Sequence, residues 1–254
     1  MAVRGRLVDL IVLDSLDSLR PPGFDLMVLV IATLGAILGS IQPATSSYLL
    51  ARLILEPTLF TVALHLALRS AAGVASLVGE GIMEVYLSYP LSRGGLAQAL
   101  VTSRVLVPSI ILLSVPLAVA GVILAPVVAR DPLGLLVVFT GYLVQAFFYG
   151  VIFLGIALSS RTSGTASILG ITFYFAYNIV WMLLATLSPG LGSGLLRLSV
   201  AMKFYEVLYY YAMSLSGVHP SIEPGLLGFT LVPAMTLIAL AGTIVYFKWR
   251  FEPT

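Results

Sequence analysis

Glu80 and Glu84 stand four residues apart between two long apolar stretches. At helical spacing they share one face, with Met83 and Leu87 on another and Tyr86 beside them. The run Gly79-Glu80-Gly81-Ile82-Met83-Glu84-Val85-Tyr86-Leu87-Ser88-Tyr89-Pro90-Leu91-Ser92-Arg93 is charged where its surroundings suit lipid. Its chemistry is recognition of a partner in water rather than bond making. Pro90 disfavours helix at Tyr89 and so predicts a short amphipathic helix that stops there, followed by Ser92-Arg93. A connecting helix resting on headgroups is the plainer reading of the same pattern.

A second polar group runs through an apolar stretch: Thr58, His65, Arg69, Ala72, Ser76 and Glu80 fall in one stripe at helical spacing. An arginine at the centre of a span costs about 2.5–3.5 kcal/mol on insertion scales, so Arg69 is expected to face protein or water. A third stripe holds Ser167, Tyr174, Asn178, Trp181 and Ala185. Either stripe could line a pathway or a subunit contact, or pack against neighbouring helices with Asn178 as a polar tie. Gln145 and Tyr149, with Tyr142 nearby, share a side and read as packing.

Other chemistries are excluded by what the chain lacks. It has no cysteine and two histidines, His65 and His219, so no thiolate site, disulfide or histidine-rich metal site can form. No nucleophile–base arrangement and no paired intramembrane carboxylates support a hydrolase. No Gly-x-x-x-x-Gly-Lys-Ser/Thr phosphate loop is present. No catalytic, cofactor-binding or metal residues are therefore assigned. The net charge of +2 and the absence of a basic tract argue against nucleic acid.

The elements that carry these residues follow from hydropathy. The chain is 59% apolar and 9% charged, against roughly 25% charge in soluble domains, so the bilayer is its main solvent. About 20 apolar residues cross the hydrocarbon, and six stretches qualify: 24–42, 57–78, 99–127, 133–158, 165–187 and 226–247. Pro108, Pro116 and Pro126 should interrupt the third. Residues 1–22 predict an interfacial helix rather than a cleaved signal, with Val8, Ile11, Val12 and Leu19 on one side and Arg6, Asp9 and Asp17 on the other. Residues 188–225 are too apolar for a free loop, yet Arg197, Lys203 and Glu206 oppose a full span. Two short helices dipping into the outer leaflet fit both facts. The expected class is an all-α integral membrane protein forming one domain over 1–254.

Six spans put both termini on one side. That side carries Arg4, Arg6, Arg20, Arg93, Arg104, Arg161, Lys248 and Arg250; the other carries Arg52, Arg130, Arg197 and Lys203. The bias favours both termini in the cytoplasm of a cell-membrane protein. The segment 79–98 is then cytoplasmic.

The run from Glu80 to Arg93, Glu-x-x-x-Glu-x-x-Leu-Ser-x-Pro-Leu-Ser-Arg, resembles the ABC type-2 transporter permeases, which carry a similar run between their second and third spans. The resemblance extends in layout to the six spans, the N-terminal helix and the short helix pair before the last span. At sequence level it is confined to about residues 79–107. Gly81-Ile82-Met83 and Ala99-Leu100 stand where the family often has Gly-Thr-Leu and Gly-Lys. The resemblance implies that the short helix is a coupling helix docked on a separate ATPase subunit, with Glu80, Met83, Glu84, Tyr86, Leu87, Pro90 and Arg93 at the contact. It implies a second permease subunit, with spans two and five lining the route between the two, and ATP and Mg bound in the partner chain. Export is the implied direction, and the aromatic fifth span leans toward an amphipathic substrate. An ion-coupled secondary transporter and a non-transporting membrane scaffold are the alternatives. The first would use His65 and Arg69 near midspan, because Asp25, Glu56, Glu80 and Asp131 map near span ends.

Overall fold

The computed structural model describes residues 2–20, 23–41, 45–88, 92–160, 162–191, 193–220, 222–223 and 225–250. Among these residues every regular element is helical. Six helices are long and apolar enough to cross a bilayer: α2 (Gly23–Ile41), α3 (Ser47–Gly79), α5 (Arg93–Ile123), α7 (Pro132–Ser159), α8 (Ser163–Leu191) and α11 (Leu226–Arg250). The expected all-α class is what the described residues form, and their six long apolar helices match the expected number of spans. The shorter helices are α1 (Ala2–Ser18), α4 (Ile82–Ser88), α6 (Ala125–Arg130), α9 (Ser193–Met202) and α10 (Phe204–Leu215). The chain breaks expected at Pro21-Pro22, Gln42-Pro43 and Pro90, and Arg161, lie outside the described residues.

Two spans begin earlier than hydropathy suggests. Helix α3 starts at Ser47 rather than 57 and runs through Pro57. Its first turns carry charge because Arg52 is held at the helix end, 3.5 Å from Glu56 and 4.4 Å above the Tyr209 ring of α10. Helix α5 starts at Arg93 rather than 99. Ser92 is extended and its Oγ accepts the Gly95 N–H at 3.1 Å, which satisfies one of the orphan donors of the first turn. The prolines of α5 act unequally. Pro116 is passed within the helix, Pro108 follows a π-helical turn, and the helix ends at Ile123 because Leu124 leaves helical space at φ −108°, ψ 35°. Pro126 then lies in the first turn of α6.

Helices α3 and α7 form the centre. In the most apolar window of α3, 56% of residues are buried, against 11% in α8. The short helices α9 and α10 occupy the 188–225 region, as its mixed composition suggests. They are fastened to the core by named contacts. Tyr205 stacks on Tyr142 at 4.6 Å, the Phe204 N–H donates to Gln145 Oε1 at 2.9 Å, and the Tyr177 hydroxyl donates to the Met202 carbonyl.

Candidate functional site

The turn between α3 and α4 is set by one residue. Glu80 closes α3 with its N–H bonded to the Ser76 carbonyl, and Gly81 then takes φ +73°, a left-handed conformation open to glycine at little cost. Helix α4 restarts at Ile82 in a new direction. Glu80 and Glu84 therefore do not share a helical face, contrary to the expectation from their spacing: the break at Gly81 places them on different helices. Glu80 receives a hydrogen bond from Ser76 Oγ, one turn back on α3.

Helix α4 also presents a different face from the one its sequence suggests. Met83 is fully buried, so its side chain is not available to a docked partner in this conformation. Tyr86 and Leu87 are half-buried, and Tyr86 lines a narrow apolar crevice with Leu10, Leu96 and Leu100. Tyr86 is held there by apolar neighbours on α1 and α5. What faces outward is Glu84 between Ile82, 39% exposed, and Val85, 60% exposed. Arg93 is half-buried at the first position of α5. Pro90 lies outside the described residues.

Helix α1 runs parallel to the first turns of α5. Leu7 lies by Gly95, Leu10 by Leu96 and Ala99, and Asp14 at Arg104. Its outward side mixes exposed Val8, Val12, Leu13 and Leu16 with Asp9 and Asp17, while Asp14, Ser15 and Ser18 turn inward. The sequence pattern expected an apolar face but missed this inward polar row. Arg104, 4% exposed, points its guanidinium at Asp14, 5% exposed: Nε lies 3.0 and 2.9 Å from the two carboxylate oxygens, and Nη2 bonds Asp14 Oδ1 as well. The same Nη2 reaches Asp17 Oδ2 at 3.0 Å. Ser103 Oγ donates to Asp14, and Ser18 Oγ donates to the Ser103 carbonyl at 3.3 Å. Arg104, counted above as one of the positive charges of a loop side, is thus a buried, forked ion pair inside a span. The available signal was its place inside the 99–127 apolar stretch, where an uncompensated charge is costly and demands a partner.

The span-two stripe divides. Thr58 is buried and spends its hydroxyl on the Ile54 carbonyl at 2.7 Å. His65 is buried, its ring 5.5 Å from Phe24 of α2 and its Nε2 without a hydrogen-bond partner. Arg69 is exposed, and its guanidinium lies over Gly23, where a Cβ would collide with it. The Arg69 guanidinium therefore reaches the level of the first residue of α2. Ten residues, about 15 Å of helix, separate it from the end of α3. Ser76 is half-buried and bonded to Glu80.

The fifth-span residues are half-buried and largely engaged. Asn178 donates to the Tyr174 carbonyl at 2.8 Å and meets the Tyr149 hydroxyl at 3.4 Å, while Ser167 Oγ bonds back to Ser163 at 3.0 Å. The Trp181 ring lies 6.1 Å from that of Tyr177. Helices α3 and α8 are neighbours, joined by Phe60 with Tyr174 at 5.8 Å and Phe175 at 6.0 Å. Within the chain the two stripes do not meet. His65 and Arg69 of the α3 stripe meet Phe24 and Gly23 of α2, while α8 packs on α3 through Phe60 and, at Gly170, against Ala67.

Among the described residues no three His, Cys, Asp or Glu side chains gather as a metal site. No protein-family model matches the sequence, and no curated protein matches it.

Proposed function

We propose that this chain is the membrane-spanning permease subunit of an ATP-binding-cassette transporter, an exporter whose ATP is hydrolysed by a separate ATPase chain. The observation that carries this reading is helix α4. It sits at the turn between two long spans and presents Glu84 between the exposed apolar side chains Ile82 and Val85. A carboxylate flanked by apolar groups is poorly suited to hydrocarbon, where ionised groups are costly. The same trio suits a protein groove with an apolar floor and a donor at its rim. The family resemblance of the Glu80–Arg93 run points to the same contact.

The mechanism follows as mechanics. Two permease subunits pair, and each α4 docks on an ATPase that binds ATP and Mg. Closure of the ATPases draws the α4 helices together, and α3 and α5 carry the motion into the spans. ATP can drive that change only through its differential affinity for the two states. The α4 end and both termini are cytoplasmic, α1 rests its apolar side on the headgroup layer, and α9–α10 form the re-entrant pair at the outer leaflet. Amphipathic molecules are the favoured cargo, because the fifth span is rich in aromatic side chains.

The test is gentle purification of the whole chain from native membranes, with identification of what co-purifies. An ATPase should accompany the unaltered chain and be lost from Val85→Asp and Glu84→Lys, both of which should still insert. Retention of the same ATPase by both variants would sink the docking surface. Transport that survives without ATP but collapses with an ion gradient would favour the ion-coupled alternative.

A further inference from the structure

Spans α3 and α5, the two legs of the α4 hairpin, each contain one π-helical turn: Leu66–Ala71 in α3 and Thr102–Leu106 in α5. Such turns are rare, and they recur where a helix must bend or adapt. The two are placed together. A Cβ at Gly73, two residues beyond the first turn, would lie 3.1 Å from Arg104 Nη1 of the second. Arg104 therefore touches α3 at Gly73 and α1 at Asp14 and Asp17 while standing on α5. No other described ion pair joins two helices that far apart in sequence; the remaining two, Arg52–Glu56 and Lys203–Glu206, are local.

We propose that Arg104 is a pivot: its clasp on Asp14 makes α1 and the 72–101 hairpin move as one body, and the paired π turns are the hinge between that body and the rest of the spans. The hinge lies where the backbone ladder is already irregular, so bending there breaks fewer regular bonds than bending elsewhere. The clasp lies at the hinge, and beyond it α1 packs on the hairpin itself, Leu7 by Gly95 and Leu10 by Leu96 and Ala99, so α1 is carried with the hairpin at every angle. Gly73 is the space that lets the guanidinium reach across. This proposal rests on the docking reading only for the source of the force.

Hydrogen exchange of the full chain in lipid nanodiscs, with no ATPase present, tests the pivot by itself. The amides of 66–71 and 102–106 should exchange about tenfold faster than the helical turns on either side. Residues of α1 and of 72–101 should open at a common rate. In Arg104→Gln and in Asp14→Asn, α1 should exchange about tenfold faster and independently of the hairpin, while α7 stays protected. Gly73→Leu, which keeps every charge but fills the space, should have the same effect. A pair serving only to hold α1 in place would leave α1 and the hairpin uncorrelated in the unaltered chain. That result, unchanged α1 exchange in the variants, or π turns as protected as their flanks each overturns the pivot. Should Arg104→Gln fail to insert, Arg104→Lys, which keeps the charge without the fork, should show the same loss of correlation in weaker form. Because no partner enters the measurement, its failure leaves the docking reading intact, and loss of ATPase docking leaves the pivot intact.

Discussion

Replacing Arg104 by methionine should destabilise the chain far more than replacing the whole ion pair. Arg104 and Asp14 are 4% and 5% exposed. Removing the cation leaves the Asp14 carboxylate buried with Ser103 as its remaining described side-chain donor. Breaking a buried pair from one side costs about 3–5 kcal/mol. The lower end applies here, because Asp17 is 60% exposed and opens one side of the cluster to water. About 3 kcal/mol is roughly two decades in the folded-to-unfolded ratio. The double variant Asp14→Leu with Arg104→Met removes both charges and their desolvation together, and should fall within about 1 kcal/mol of the unaltered chain. Asp17→Asn alone should cost no more than about 1 kcal/mol, since its carboxylate is largely solvated. The assay is denaturant titration in mixed micelles followed by tryptophan fluorescence, with Trp181 and Trp249 as reporters. An Arg104→Met cost below about 1 kcal/mol, or a double variant as unstable as the single one, would refute the reasoning.

Two further outcomes follow from single contacts. Gly81→Val forces a β-branched residue to φ +73° and should cost about 1–3 kcal/mol, seen as a lower melting temperature and faster proteolysis between α3 and α5. An unchanged melt would mean that the turn relaxes out of the left-handed region. Gln145→Leu removes the acceptor of the buried Phe204 N–H and should cost about 1–3 kcal/mol, with protease sensitivity rising at α9–α10 rather than at α4.

Legibility differed from residue to residue. The short helix at 82–88 could be read from its charged, proline-stopped pattern, but its outward face could not. Met83 looked like a contact residue and is buried, while Val85 looked incidental and is exposed. Helical spacing gives relative angles around one axis. It says nothing about which angle meets α1 and α5, nor that Gly81 would leave the helix between Glu80 and Glu84. Gln145 read as packing, and its hydrogen bond to Phe204, 59 residues away, needed the approach of α10 to be seen.

What the sequence by itself determined is the number and class of the spans, because hydrocarbon imposes a length of about 20 apolar residues that any window of sequence can reveal. The start of α7 was also written locally, in Asp131, whose carboxylate accepts the Gly134 N–H, whereas the cap at Ser92 was not read and the third span was expected from 99. Only the tertiary structure decided that Arg104 belongs to Asp14 across 90 residues, that His65 turns to Phe24 of α2, and that Arg69 lies beside Gly23. Those pairings are chosen by which helices come to lie side by side. A buried charge states that it needs a partner; the packing of the helices decides which one it gets.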